Sequence, residues 1–121
     1  MYHVTATSPA QLRRHGLDYR RTGFARGDYE FAHLPQGNYL WPTLASARTW
    51  ASGAEREMLI VAVDVSGLHL HRDPYWDGLP KRHPHYRAYV GPRGGQPSAF
   101  YSDRPIPASR LLVFELFALA A

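Results

Sequence analysis

Seven histidines are spread along this 121-residue chain, and four of them come in alternating pairs. His69 and His71 stand two apart in "LHLHRDP", and His83 and His85 repeat the spacing in "KRHPHYR". Alternate residues of a strand share a face, so each pair could offer two imidazoles to a divalent metal. Pro84 sits inside the second pair, however, and carboxylates with a clear ligand spacing are absent apart from Asp73 and Asp77. No metal site is expected. The serines fall in no Gly-x-Ser-x-Gly elbow, and the chain has no cysteine to act as a nucleophile. The glycines of "GPRGGQP" precede no helix with Lys and Ser/Thr, so they form no P-loop. That leaves His3, in the stretch "YHVT", whose apolar and β-branched neighbours predict a short strand.

The elements that must position these residues follow from local signals. Ser8-Pro9 reads as an N-cap and a first helical residue, and Gly16 ends that helix after two turns. Residues 18–37 hold three glycines and no sustained period, which predicts a long loop with a short strand near Tyr29–Ala32. "NYLW" is a strand, and Thr43 caps a helix through about Ala51 with Leu44, Ala47, Trp50 and Ala51 on one face. Leu59 to Val63 is an apolar run, expected to be a strand buried on both faces. Ser66-Gly67 turns the chain into "LHLH", read as a half-buried strand. Residues 72–97 are rich in Pro, Gly and aromatics and read as irregular, with a short strand or helical turn around His85–Val90. "SAFYS" is a strand, "RPIP" a turn, and "SRLLVFELFAL" a long C-terminal strand. Two early helices and at least five strands make an α+β fold on a mainly antiparallel sheet or split pair of sheets.

Composition sets the outer limits. The length suits one domain, 1–121, with a single core. No apolar run approaches the ~20 residues that span a bilayer, so no membrane association is expected. The start of the chain lacks a basic region followed by an apolar stretch, and no signal peptide is read there. Without cysteine there are no disulfides, and a cytoplasmic location is the simplest expectation. The net charge is +4, and Lys81 is the only lysine, so the basic groups are nearly all arginine. The planar guanidinium suits phosphate and carboxylate. GC-rich codons would produce the same bias, and no nucleic-acid-binding motif accompanies it.

In order and spacing, "YHVT", "HGL", "GNYLWPTLASARTWA", "MLIVAVDV" and "AFYSDRPIPASRLLVF" resemble the small ADP-ribosyltransferases. The branch they resemble is the His-Tyr-Asp/Glu one, which includes the poly-ADP-ribose polymerases and the rifamycin ADP-ribosyltransferases. The resemblance spans nearly the whole chain, through short motifs. It implies an α+β fold with a split antiparallel β-sheet core, two short helices, and a cleft that holds NAD.

Residue by residue, the resemblance puts His3 at the histidine that hydrogen-bonds a ribose hydroxyl of NAD. The backbone of the next residue, here Val4 where relatives usually have Gly, holds the nicotinamide amide, and Thr5 completes the motif. Tyr39 matches the tyrosine that stacks on the nicotinamide ring. The glutamate that many relatives carry would fall on Ser98 or Ala99, where no carboxylate stands. The rifamycin-modifying relatives use an aspartate after the central strands instead, which makes Asp73 the candidate acid and Asp77 its substitute. Arg13, Arg14, Arg20, Arg21 and Arg26 lie in or beside the region that borders NAD in relatives. The expected function is NAD-dependent mono-ADP-ribosyl transfer, without a metal. The acceptor is open: a small hydroxylated compound, or a protein or nucleic acid as for toxin-like members. An NAD glycohydrolase and a non-catalytic NAD-binding module are the alternatives on the same fold.

Overall fold

The computed structural model describes residues 1–22, 37–53, 56–72 and 99–117. Strand β1 (Tyr2–Thr5) leads into helix α1 (Pro9–His15). Ser8 Oγ accepts from Gln11 N at 3.3 Å, and Gly16 ends the helix with φ +68° while its N–H bonds the Leu12 carbonyl at 2.7 Å. A second helical turn, α2 (Tyr19–Thr22), lies in the stretch expected to be loop. Asp18 makes it, because its carboxylate accepts from Arg20 N at 3.1 Å and its carbonyl accepts from Arg21 N at 3.0 Å. An acidic residue at a helix start satisfies otherwise unpaired N–H groups, a signal the charged context hid.

Strand β2 (Asn38–Leu40) precedes helix α3 (Leu44–Ser52). A reciprocal cap starts α3: Thr43 Oγ1 accepts from Ser46 N at 3.1 Å, and Ser46 Oγ accepts from Thr43 N at 3.3 Å. Strands β3 (Met58–Val63), β4 (His71–Arg72), β5 (Phe100–Ser102) and β6 (Leu111–Phe117) complete the described elements. The half-buried strand expected over "LHLH" is shorter than predicted. Leu68 N bonds the Val65 carbonyl at 3.0 Å, and the chain joins the sheet only at His71. The alternation itself holds: Leu68 and Leu70 pack against the core and His69 is exposed. Residues Ala108–Arg110 form a 3-10 turn, so the C-terminal strand starts at Leu111 rather than in the preceding Ser109-Arg110.

The strands form two antiparallel three-stranded sheets, ordered β1-β3-β6 and β2-β5-β4. Leu59, Val61 and Val63 of β3 pack on one side with Leu12, Leu17, Leu40 and Ile106. Ile60 packs on the other side with Trp41, Ala47, Ala51 and Ala99. The apolar run is thus buried on both faces as expected, and each fully buried aliphatic chain contributes about 1.5–3 kcal/mol. The fold is mixed α+β, with two small sheets and a few short helices. Among the described residues, no helix is long and apolar enough to cross a membrane. The expected elements near Tyr29–Ala32 and His85–Val90 lie outside the described residues.

Candidate functional site

The two sheets meet at one point and then part. Tyr2 N donates to the Trp41 carbonyl at 2.9 Å, and Trp41 N donates to the Tyr2 carbonyl at 2.7 Å. Among the described residues these are the backbone hydrogen bonds that join β1 to β2. In an antiparallel ladder the pairs that exchange both bonds recur every second residue. An unbroken ladder would therefore pair Val4 with Tyr39 next. Instead the Tyr39 carbonyl accepts from Nδ1 of His3 at 2.7 Å. A side chain of β1 takes the acceptor that the Val4 N–H would have used, and the sheet splits there.

The direction of the Val4 peptide groups follows from the other edge of β1. The Met1 carbonyl accepts from Val63 N at 2.8 Å, and His3 and Thr5 stand opposite Val61 and Leu59 in the same register. Odd residues of β1 thus aim their N–H and C=O at β3, while Tyr2 and Val4 aim theirs at β2. At Val4 both groups face the split. The Val4 side chain packs on the second core cluster with Trp41 and Ile60, so the strand is anchored while its edge stays polar.

His3 is half-buried. Burial pushes its imidazole below the ordinary histidine range, and the bond to the Tyr39 carbonyl opposes that shift without cancelling it. A carbonyl can only accept, so the neutral ring carries its proton on Nδ1 and leaves Nε2 as an acceptor. Thr5 is buried, and its Oγ1 accepts from Thr7 N at 3.0 Å, which closes the turn after β1.

Tyr39 is half-buried and begins a row of rings across the second sheet. Tyr39 and Tyr101 face each other in the β2–β5 register and stack, with centroids 5.2 Å apart and planes at 28°. Tyr101 and His71 do the same across β5–β4, at 5.0 Å and 25°. His69 meets the edge of His71 at 4.7 Å and 85°. Gly37 is what lets the chain enter β2 this close to β5, because a Cβ there would sit 2.8 Å from both the Ser102 carbonyl oxygen and Cδ2 of Tyr101. Asp103, just past β5, places Oδ2 3.2 Å from Nε2 of His71. The expectation that His69 and His71 share one face holds. Sequence reasoning did not single out Tyr101 and Asp103, which the structure places against His71, although Tyr101 was visible as a strand aromatic.

Other expected site residues fall elsewhere. Asp73, Asp77, His83, His85 and Arg26 lie outside the described residues, and so does Ser98. Ala99 is buried in the second core cluster. Arg13 lies over the Phe114 ring on β6, 5.1 Å from its centroid, at the edge of the first sheet away from the split. Arg20 and Arg21 pair with Asp18 at 3.2 and 3.7 Å. Burial alone would raise the Asp18 carboxyl, but the Arg20 hydrogen bonds and the two guanidinium charges hold it below its ordinary value. Among the described residues, no three His, Asp or Glu side chains stand together as a metal site.

Geometry thus defines the class as far as a mixed α+β protein with two small antiparallel sheets joined at the Tyr2–Trp41 bridge. Compared with family models, curated proteins and solved structures, the chain matches none.

Proposed function

We propose that the chain is an NAD-dependent mono-ADP-ribosyltransferase that cleaves the nicotinamide–ribose bond and passes ADP-ribose to an acceptor. The observation that supports it best is the split itself, with the Val4 N–H and C=O facing it beside Tyr39. A primary carboxamide carries one acceptor oxygen and an NH2 donor. Two groups of one peptide-linked residue, a donor and an acceptor on the same strand edge, complement it in both senses. The Tyr39 ring supplies an aromatic surface for the pyridinium, an attraction worth about 0.5–2 kcal/mol. His3 Nε2, held by the Nδ1 bond, accepts from a ribose hydroxyl. The split between two three-stranded sheets also fits the cleft that the family resemblance implies.

Each group has a chemical task. As the glycosidic C–N bond breaks, positive charge moves from the ring to the sugar. A nearby carboxylate stabilises that charge electrostatically. Asp73 is the proposed carboxylate and Asp77 its substitute. Val4 and Tyr39 hold the leaving ring, and His3 fixes the sugar, so the bond to be broken is oriented before reaction.

The test compares NAD with nicotinic acid adenine dinucleotide, which has a carboxylate in place of the carboxamide. A ligand at a hundredfold excess over Kd stabilises the native state by about 2.7 kcal/mol. NAD is expected to raise the unfolding temperature and to release nicotinamide. The acid analogue cannot donate to the Val4 carbonyl and places its charge against it, so it is expected to bind at least about tenfold more weakly, about 1.4 kcal/mol. Equal stabilisation by the two compounds would remove the carboxamide clamp. Failure of millimolar NAD to stabilise the protein would remove the whole reading.

A further inference from the structure

We infer that two copies of this chain pair along the free edge of β6, antiparallel about a two-fold axis at Phe114, to form one six-stranded sheet ordered β1-β3-β6-β6-β3-β1. The pairing does not depend on the transferase reading. β6 is an edge strand of its sheet. Edge strands are commonly guarded by proline, lysine or an inward-pointing charge. Leu111–Phe117 holds no proline and no lysine, and its one charge, Glu115, is paired with Arg48 at 2.7 Å. Leu112, Val113 and Leu116 are instead 63%, 62% and 63% exposed, and they are the exposed large apolar side chains among the described residues.

The outer backbone of β6 is free as well. Leu59, Val61 and Val63 aim their N–H and C=O at β1, so Met58, Ile60 and Ala62 aim theirs at β6, opposite Phe117, Glu115 and Val113. Phe114 and Leu116 therefore aim theirs away from β3. Leu112 is the extra residue where the register slips between Ala62 and Val63, and a bulged residue is left unpaired by its own ladder. Three alternate residues, all apolar, thus present backbone donors and acceptors on the open side.

The strand that fits this edge is its own reverse. An isologous contact needs a surface complementary to itself. With Phe114 on the axis, "LVFEL" sets Leu112 of each copy opposite Leu116 of the other, and Phe114 opposite Phe114. The neighbouring registers fit less well. An axis at Glu115 puts two like charges face to face, and an axis at Val113 puts Leu116 opposite Arg110. Arg13 lies over the Phe114 ring, so each copy brings one guanidinium to the axis on the same face. The contact is therefore apolar and backbone-bonded, against a like-charge repulsion, and no ion pair holds it. β1 lies at the far edge of each sheet, so pairing leaves both splits open. A single strand pair falls at the small end of interfaces, below about 1,200 Å², which makes the dimer weak and reversible.

Sedimentation equilibrium of the whole chain from about 5 to 500 µM is expected to show a monomer–dimer equilibrium with a micromolar Kd. Leu116→Lys puts a charge on an exposed position and is expected to weaken the dimer at least about tenfold with Tm close to wild type. Added salt screens the two Arg13 groups and is expected to hold or tighten the dimer. The register is read by cross-linking, because the chain has no cysteine of its own. Paired Cα atoms about 5.5 Å apart suit a disulfide, whereas the two copies of residue 112, or of residue 116, stand roughly 14 Å apart. Leu112→Cys mixed with Leu116→Cys is expected to give an oxidised heterodimer, and each variant alone to give at least about tenfold less. A monomer at every concentration would overturn the pairing and leave the edge to a different strand. A dimer unaffected by Leu116→Lys, or one dissolved by salt, would place the contact elsewhere and overturn it too. Equal cross-linking of the single variants and the mixture would overturn the register.

Discussion

Replacing Tyr39 by alanine separates a ligand platform from a core aromatic. The substitution leaves the main chain in place, so the His3 bond to the Tyr39 carbonyl survives and only the ring is removed. A fully buried aromatic costs about 3–5 kcal/mol when cut to alanine. Tyr39 is half-buried, and its ring stacks on Tyr101. Such a stack is worth about 0.5–1.5 kcal/mol, so with part of the burial the expected loss is about 1–2 kcal/mol. For a chain of this length that lowers Tm by about 4–8 °C. The attraction of the pyridinium to the ring is worth about 0.5–2 kcal/mol, so NAD is expected to bind roughly 2- to 30-fold more weakly. Tyr39→Phe keeps the ring and is expected to keep both properties. The assay is thermal unfolding over an NAD titration for the three proteins. A stability loss of about 3 kcal/mol or more would make Tyr39 a core residue. Unchanged NAD affinity in Tyr39→Ala would mean that the ring is no platform.

Two further perturbations test the frame around the site. Burial holds His3 neutral below its ordinary value, so the unfolded chain binds the extra proton first as pH falls. The stability from His3 is complete above a pH of about 6.5 and is lost as pH drops below it. The Tm of wild type is expected to fall more steeply than that of His3→Gln in that acid range, and parallel curves would refute the assignment. At Gly16, φ is +68° and an added Cβ would meet the Ile106 carbonyl oxygen, with Ala108 N at 2.9 Å and Pro107 C at 3.0 Å. Gly67 has a similar φ of +74° but open space around it. In urea, Gly67→Ala is expected to lose about 1–2 kcal/mol from backbone strain alone. Gly16→Ala is expected to lose clearly more, because the Leu17–Ile106 bridge must also shift. Equal losses would show that the close approach at Gly16 carries no energy.

Local interactions were legible in the sequence because their causes lie within a few residues. Ser8, Pro9 and Gly16 bound the first helix, and Thr43 caps α3, since caps satisfy N–H groups one turn away. The uninterrupted apolar residues of β3 announced burial on both faces, since neither face could remain in water. The placement of His3 and Tyr39 in short strands was readable too. What the sequence alone did not decide is which strand edges meet and where they part. The loss of the Val4–Tyr39 pairing depends on a side-chain bond from His3 across 36 residues. The row from Tyr39 through Tyr101 to His71 exists only because three distant segments share one register. Asp103 gains its partner the same way, since a contact between distant residues leaves no period or cap in the chain itself. The residue types were therefore fixed by sequence, while their assembly into one site came from the pairing of strands far apart along the chain.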